Sequence, residues 1–232
     1  MIDFHSHVLP RIDDGARDET ESAALLQMLS DQGIDRLAVT PHFYAESRTP
    51  EQFLEKRAVS YERLRSVLTP GSPEIRLGAE VFYYPGISRM EQLARLCLEG
   101  TNLLLLEMPT VEWRRAMVSE IIEIERTRGL SVVLAHIERY AEFKKRDVIE
   151  RLLDEGVSLQ INAEALLNRR TRGRAMKMLL RDEIRFIGSD CHDPKNRPPQ
   201  MMEAYEYLKV KTKGKFLESF EEQNLSDWEA KH

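Results

Sequence analysis

Five histidines, His5, His7, His42, His136 and His192, stand where a run of apolar, strand-forming residues stops. They lie in short polar motifs: Asp3-Phe4-His5-Ser6-His7, Thr40-Pro41-His42, Ala135-His136-Ile137-Glu138-Arg139 and Ser189-Asp190-Cys191-His192. The sixth histidine, His232, is the last residue and falls outside the pattern. Two further apolar runs end in a carboxylate, at Glu80 and Glu107. Imidazole with carboxylate is a common donor set for divalent transition metals, and this much imidazole argues against calcium or magnesium as the sole ion. These side chains are too many for one tetrahedral ion and point to a cluster of two or three.

The spacing sharpens that reading. In His5-x-His7, residues i and i+2 of a strand end face the same way and can hold one ion together. Such a pair is weak evidence alone; joined to Asp190 and His192 after the last strand, it becomes strong. An unpaired carboxylate at Glu80 or Glu107 would cost several kcal/mol to bury. A metal cation removes that cost, and an arginine partner is the structural alternative. In Ile12-Asp13-Asp14-Gly15 either aspartate can bind a metal or cap the helical region from Asp18 to Gly33, or simply form an Asx-type turn.

Two arginines follow proposed ligands. Arg139 lies three residues past His136, and Arg197 follows the last strand. A planar guanidinium at the mouth of a cationic cluster suits an anionic, oxygen-rich group such as phosphate. The structural alternatives are pairing of Arg139 with Glu138 or Glu142 and a merely superficial Arg197. Cys191 and Arg197 also have the C-x5-R spacing of cysteine-dependent phosphatases. The loop between them has no glycine, carries the negative Asp193 and loses an N–H at Pro194, so it makes a poor phosphate nest. Cys191 is expected instead to pack as a small residue beneath the strand end.

These motifs need a scaffold that brings residues 3 to 192 together. Strand-like runs at 2–4, 36–40, 75–82, 102–107, 131–135, 157–161 and 185–187 alternate with amphipathic helical patterns, such as 19–32 and 113–128. Gly33, Gly129 and Gly156 mark helix ends. Strict alternation indicates a parallel sheet, and seven units in this length favour a closed α/β barrel. In such barrels the residues after the strand C-termini share one face, so the scattered motifs converge.

Composition is compatible with this. A chain of 232 residues, 42% hydrophobic, can bury a full core. The net charge of −5 gives no general nucleic-acid signal, despite basic clusters at Arg114-Arg115 and between Arg169 and Arg174. No apolar run approaches the roughly 20 residues needed to span a bilayer, no secretory leader precedes the first strand, and two cysteines make no disulfide framework. The expectation is a cytoplasmic protein with no nucleic-acid partner and no direct membrane insertion. Homo-oligomerisation through the polar helix beginning near Asp18 is an open option.

Taken jointly, Met1 to His7, Ile12 to Gly15, Thr40-Pro41-His42, Gly78-Ala79-Glu80, Glu107, Ala135 to Tyr140, Gln160-Ile161-Asn162, Ser189 to His192 and Arg197-Pro198-Pro199 resemble the polymerase and histidinol phosphatase (PHP) superfamily. Within it they are most similar to the bacterial manganese-dependent protein-tyrosine phosphatases of capsule and exopolysaccharide loci. The resemblance extends to about Leu208. It implies a distorted, TIM-like (β/α)7 barrel, one PHP domain over residues 1–232 with residues 209–232 as an extension of unassigned role. It implies three divalent ions, manganese by preference with iron or zinc as alternatives, on His5, His7, Asp14, His42, Glu80, Glu107, His136, Asp190 and His192. Arg139, Asp14 and His42 would be catalytic, and Arg139 with Arg197 would bind the phosphate. The implied substrate is phosphotyrosine on the tail of a bacterial tyrosine autokinase, with a metal-bound hydroxide attacking phosphorus in line. The alternatives are another phosphoesterase of this superfamily, acting on histidinol phosphate or on nucleotides and oligonucleotides, and a non-catalytic metal-binding regulatory module. Three departures stand out: cysteine at 191 where methionine is usual, no further histidine between Phe43 and Pro50, and an unfamiliar polar stretch from Lys209 onward.

Overall fold

The computed structural model describes residues 1–140 and 146–230. Glu142 and His232 therefore lie outside the described residues. The first half of the chain forms β1 (Ile2–Ser6), α1 (Glu19–Asp31), β2 (Arg36–Val39), β3 (His42–Phe43), α2 (Pro50–Arg65), β4 (Glu74–Leu77), β5 (Glu80–Phe82) and β6 (Leu103–Glu107). The second half forms α3 (Arg115–Thr127), β7 (Ser131–Leu134), α4 (Arg146–Asp154), β8 (Ser158–Asn162), α5 (Ala163–Leu167), α6 (Arg172–Leu179), β9 (Phe186–Gly188), α7 (Met201–Thr212) and α8 (Lys215–Glu229). Local sequence explains the helix starts. Asp18 accepts from the backbone N–H groups of Thr20 and Glu21 at the head of α1, and Thr49 with Gln52 makes a capping box before α2, with Pro50 at its first position. The glycines expected at helix ends, 33, 129 and 156, all take positive φ.

The strands run in the orders β1-β2-β4 and β3-β5-β6-β7-β8-β9, with every ladder parallel. One of the seven expected strands, 75–82, is thus broken in two, and a short additional strand, β3, follows the one expected at 36–40. Pro41 cannot donate to a ladder and separates β2 from β3, and Gly78-Ala79 separates β4 from β5. The breaks stay aligned, because Gly78 N–H donates to Val39 C=O at 2.8 Å and Glu80 N–H to Pro41 C=O at 3.0 Å. The last strand returns to the first: Asp190 N–H bonds His5 C=O at 2.8 Å and His7 N–H bonds Cys191 C=O at 3.0 Å. Gly188 permits this close approach, since a Cβ there would lie 2.4 Å from the Cβ of His5. The result is a curled, distorted parallel barrel with the strand C-termini on one face.

The opposite end is closed by the stretch whose role was unassigned. In α8, Leu217, Phe220, Asn224 and Trp228 recur at spacings of three and four and are all buried. Trp228, 1% exposed, enters the apolar cluster of Ile2, Phe4, Ala38, Leu105 and Phe186 inside the barrel. Its indole N–H donates to Glu74 at 3.2 Å, and the guanidinium of Arg76 lies 4.6 Å from its ring centroid. Next to it, Arg185 forms a two-pronged pair with Asp227 at 2.6 and 2.7 Å. No helix among the described residues is long and apolar enough to cross a membrane.

Candidate metal centre

All nine expected donors meet at the C-terminal face of the strands. His5 in β1 and His7 just past its end lie two residues apart and face the same way, with their Nε2 atoms 3.1 Å apart. His42 opens β3 directly beside Glu80 in the ladder, and Glu107 ends β6 one strand further on. His136 and Asp190 follow β7 and β9 in backbone conformations with φ of +33° and +53°, uncommon for residues with a side chain and a sign that the site is held against local preference. His136 Nε2 lies 2.8 Å from Glu80 and 3.7 Å from Glu107. Asp14 Oδ1 is 3.4 Å from Nε2 of both His42 and His192. Three overlapping groups emerge: His7, Asp14, His42 and His192; His5, His7 and Asp190; and His42, Glu80 and Glu107.

The imidazoles are aimed by partners behind them. His7 donates from Nδ1 to Asp13 at 2.9 Å, His192 from Nδ1 to the Asp190 carbonyl at 2.9 Å, and His5 points Nδ1 at the Gln160 side-chain oxygen, 3.4 Å away. Each bond leaves Nε2 as the lone-pair nitrogen facing the cluster, which is how proteins fix a ligand histidine. Tyr140 Oη stands 3.2 Å from Nδ1 of His136 and accepts the Met108 N–H at 3.1 Å. Gln160 also accepts the His136 N–H at 2.7 Å, and Asn162 donates to Asp190 at 2.8 Å. The two aspartates of the 13–14 pair therefore divide the work: Asp13 orients, Asp14 faces the cluster, and Asp18 caps α1. The side chains of Asp13, Tyr140, Gln160 and Asn162 lie in motifs visible in the sequence, but nothing in their spacing distinguishes an orienting partner from a ligand.

The donor set fits divalent cations. Among the described residues, six buried side-chain polar atoms make no well-directed hydrogen bond, and four belong here: His42 Nδ1, Glu80 Oε2, Glu107 Oε2 and His192 Nε2. Orphaned donors of this kind carry a desolvation cost that a coordinated ion relieves. Donor atoms about 2.0–2.2 Å from a shared ion sit roughly 3–3.5 Å apart, close to the separations found here. Burial alone would push the Glu80 carboxyl up, but the imidazoles of His5, His136 and His42 close around it outweigh burial and hold it well below the usual range. Glu107 lacks that company; burial and the neighbouring Glu80 push it up to about 7. Burial lowers both His136 and His192, keeping them neutral and able to ligate.

Arg139 and Arg197 converge on one atom. Both donate to Asp190 Oδ2, Arg197 at 2.9 Å, and each is partly exposed at the mouth. Arg139 thus pairs with Asp190 rather than with Glu138, and Arg197 belongs to the site rather than to the outer surface. The cysteine is fully buried, and burial pushes its thiol up to about 12, which rules out a standing thiolate at Cys191. The connections after β5 and β6 and the starts of α3 and α4 enclose a groove of about 1310 Å³ whose walls include Tyr83, Arg89, Trp113, Arg114 and Arg115 and none of the nine donors.

Comparison with known proteins gives concordant matches. The family model described as capsular polysaccharide synthesis, CpsB/CapC, matches residues 1–227. The tyrosine-protein phosphatase CpsB of Streptococcus pneumoniae is 29% identical over 227 residues, covering 91% of this chain and 90% of its own length. The tyrosine-protein phosphatase YwqE of Bacillus subtilis is 29% identical over 219 residues, covering 88% and 82%. Among solved structures, one from work on YwqE and CpsB, there described as unique metal-dependent tyrosine phosphatases, superposes with a TM-score of 0.84 at 24% identity, over 98% of this chain and 94% of the other.

Proposed function

The chain belongs to the capsular polysaccharide synthesis CpsB/CapC family, and from that premise we propose that it is a metal-dependent protein-tyrosine phosphatase. The observation that carries this reading is the convergence of nine imidazole and carboxylate side chains around four orphaned donor atoms, with two arginines at the mouth. His5, His7, Asp14, His42, Glu80, Glu107, His136, Asp190 and His192 would hold three divalent ions, manganese by preference; eight of them make up the three overlapping groups, and His136 stands outside these, 2.8 Å from Glu80. When bound, such ions supply Lewis acidity that activates water at neutral pH and neutralises phosphoryl oxygens.

The chain's own residues do the rest. Arg139 and Arg197 share Asp190 Oδ2 and so present their remaining N–H groups in a fixed arrangement to phosphoryl oxygens. Arg139 stabilises the charge that grows in the transition state. Asp14, whose side chain is 66% exposed, stands at the rim 3.4 Å from both His42 and His192, and the nearness of His192 favours its ionised form. Tyrosinate, with a parent pKa near ~10, leaves without a strong acid, whereas an alkoxide would not.

The physiological substrate in this reading is a phosphotyrosine protein, the tail of a bacterial tyrosine kinase in capsule or exopolysaccharide synthesis, met in the cytoplasm. Metal analysis paired with turnover of a phosphotyrosine peptide, histidinol phosphate and a nucleotide tests the assignment. Preference for the peptide by the metal-loaded protein is the expected result; preference for either small metabolite would reassign it within the superfamily, and retained metal without any hydrolysis would make it a binding module.

A further inference from the structure

The side chains one step outward from the metal donors are aromatic on one side of the mouth. In the ladder His42 pairs with Glu80 and Phe43 with Val81, and on the next strand Phe82 pairs with Glu107. Side chains alternate along a strand, so Tyr44 and Phe82 share the face of His42 and Glu80, one layer nearer solvent. Phe43, which faces the other way, is fully buried with its ring 5.3 Å from that of Phe53. That anchor, with the Ser47 N–H donating to the Tyr44 carbonyl at 3.0 Å, fixes the backbone beneath Tyr44.

The Tyr44 ring lies 5.3 Å from the His42 ring at an interplanar angle of 29° and 5.6 Å from the ring of Phe82. It is nevertheless 40% exposed, and among the described residues no hydrogen bond or ion pair engages its hydroxyl. A rigid aromatic face therefore stands open to solvent beside the phosphate-binding centre. The arginines come from the connections after β7 and β9, whereas this face comes from β3 and β5, elsewhere around the ring of strands. A phosphorylated side chain entering between them meets charge at its phosphate and an aromatic surface along its stem.

We propose that Tyr44, backed by Phe82, is the wall on which the phenyl ring of an aryl phosphate stacks, and that it makes the site selective for aryl over non-aromatic phosphates. The proposal rests on the phosphatase reading of the same centre. Ring pairs favour centroid separations of about 4.5–7 Å in offset or tilted geometry, which an exposed face of this kind offers to an incoming ring.

The test uses the full-length, metal-loaded protein and its Tyr44→Phe, Tyr44→Leu and Tyr44→Ala variants. Binding of a peptide carrying a phosphonomethyl-phenylalanine is measured by calorimetry, and kcat/KM is measured for a phosphotyrosine peptide and for acetyl phosphate. Expected are a roughly tenfold weaker peptide Kd and a similar loss of kcat/KM on phosphotyrosine for Tyr44→Leu and Tyr44→Ala. The loss on acetyl phosphate should be no more than about twofold, and Tyr44→Phe should retain at least about half of the wild-type values. Equal losses on both substrates, or none on the peptide, overturn the wall while leaving the phosphatase reading standing. A wild-type protein that binds metal but ignores phosphotyrosine overturns both. Metal content and melting temperature of each variant separate a disturbed fold from a lost contact.

Discussion

Asp13 accepts the Nδ1 proton of His7 at 2.9 Å, through the same Oδ2 atom that accepts the backbone N–H of His42 at 3.0 Å. One carboxylate thus aims two of the cluster's histidines without itself lining the three donor groups. It also explains why two adjacent aspartates occur in the first connection: one orients and the other faces the centre.

Asp13→Ala should therefore weaken metal binding by about 10- to 100-fold, the usual effect of removing a residue that orients a ligand histidine. Elemental analysis after dialysis against graded metal concentrations measures it. Metal retention equal to wild type would show that His7 needs no such partner.

Chelation should abolish phosphotyrosine hydrolysis, and adding back Mn²⁺ should restore it. The stripped protein should also melt at a lower temperature, because Glu80 and Glu107 then lie together without a cation and because an ion bound only to the folded state stabilises it. Calorimetric scans with and without metal check this; coincident melting curves would contradict it.

Arg139→Ala should lower kcat by about 100-fold with metal content intact, as removal of one donor from a charge-stabilising site does. Arg197→Ala should cost less, and the double variant should cost less than the product of the two, since both guanidinia share Asp190 Oδ2. Fully multiplicative losses would mean that the two act independently.

Cys191→Ser should keep most of the activity, and the native thiol should resist iodoacetamide at pH 8, where a group pushed up to about 12 remains protonated. Inactivation of the serine variant with its metal retained would point back to a cysteine nucleophile.

Trp228→Ala should destabilise the fold by about 3–5 kcal/mol, the range for emptying a buried aromatic site. Denaturant titration measures the change. A negligible effect would mean that α8 is dispensable to the barrel.

Much of the centre was legible in the chain because a parallel barrel converts order along the sequence into a place on one face. Histidine or carboxylate at the end of most apolar runs is enough to nominate candidate donors, since the residues after parallel strands share one face. The broken strands were less visible. Pro41 and Gly78 announce interruptions, but whether the ladder survives them depends on the Gly78–Val39 and Glu80–Pro41 bonds, which join residues far apart in sequence. Residues 209–232 looked like a polar extension because the buried stripe of α8 is one residue wide, and its destination, the open end of the barrel, exists only once the barrel has closed.

By itself, then, the sequence determined the chemical class of this protein: the donor types, their attachment to strand ends and the arginines for an anion. Only the tertiary structure decided which of two adjacent aspartates aims a histidine, that Arg139 and Arg197 meet on a single oxygen of Asp190, and that Tyr44 rises beside Phe82. Those facts are distances between residues 6 to 51 positions apart, and such distances are set by strand register and barrel closure, which local composition does not encode.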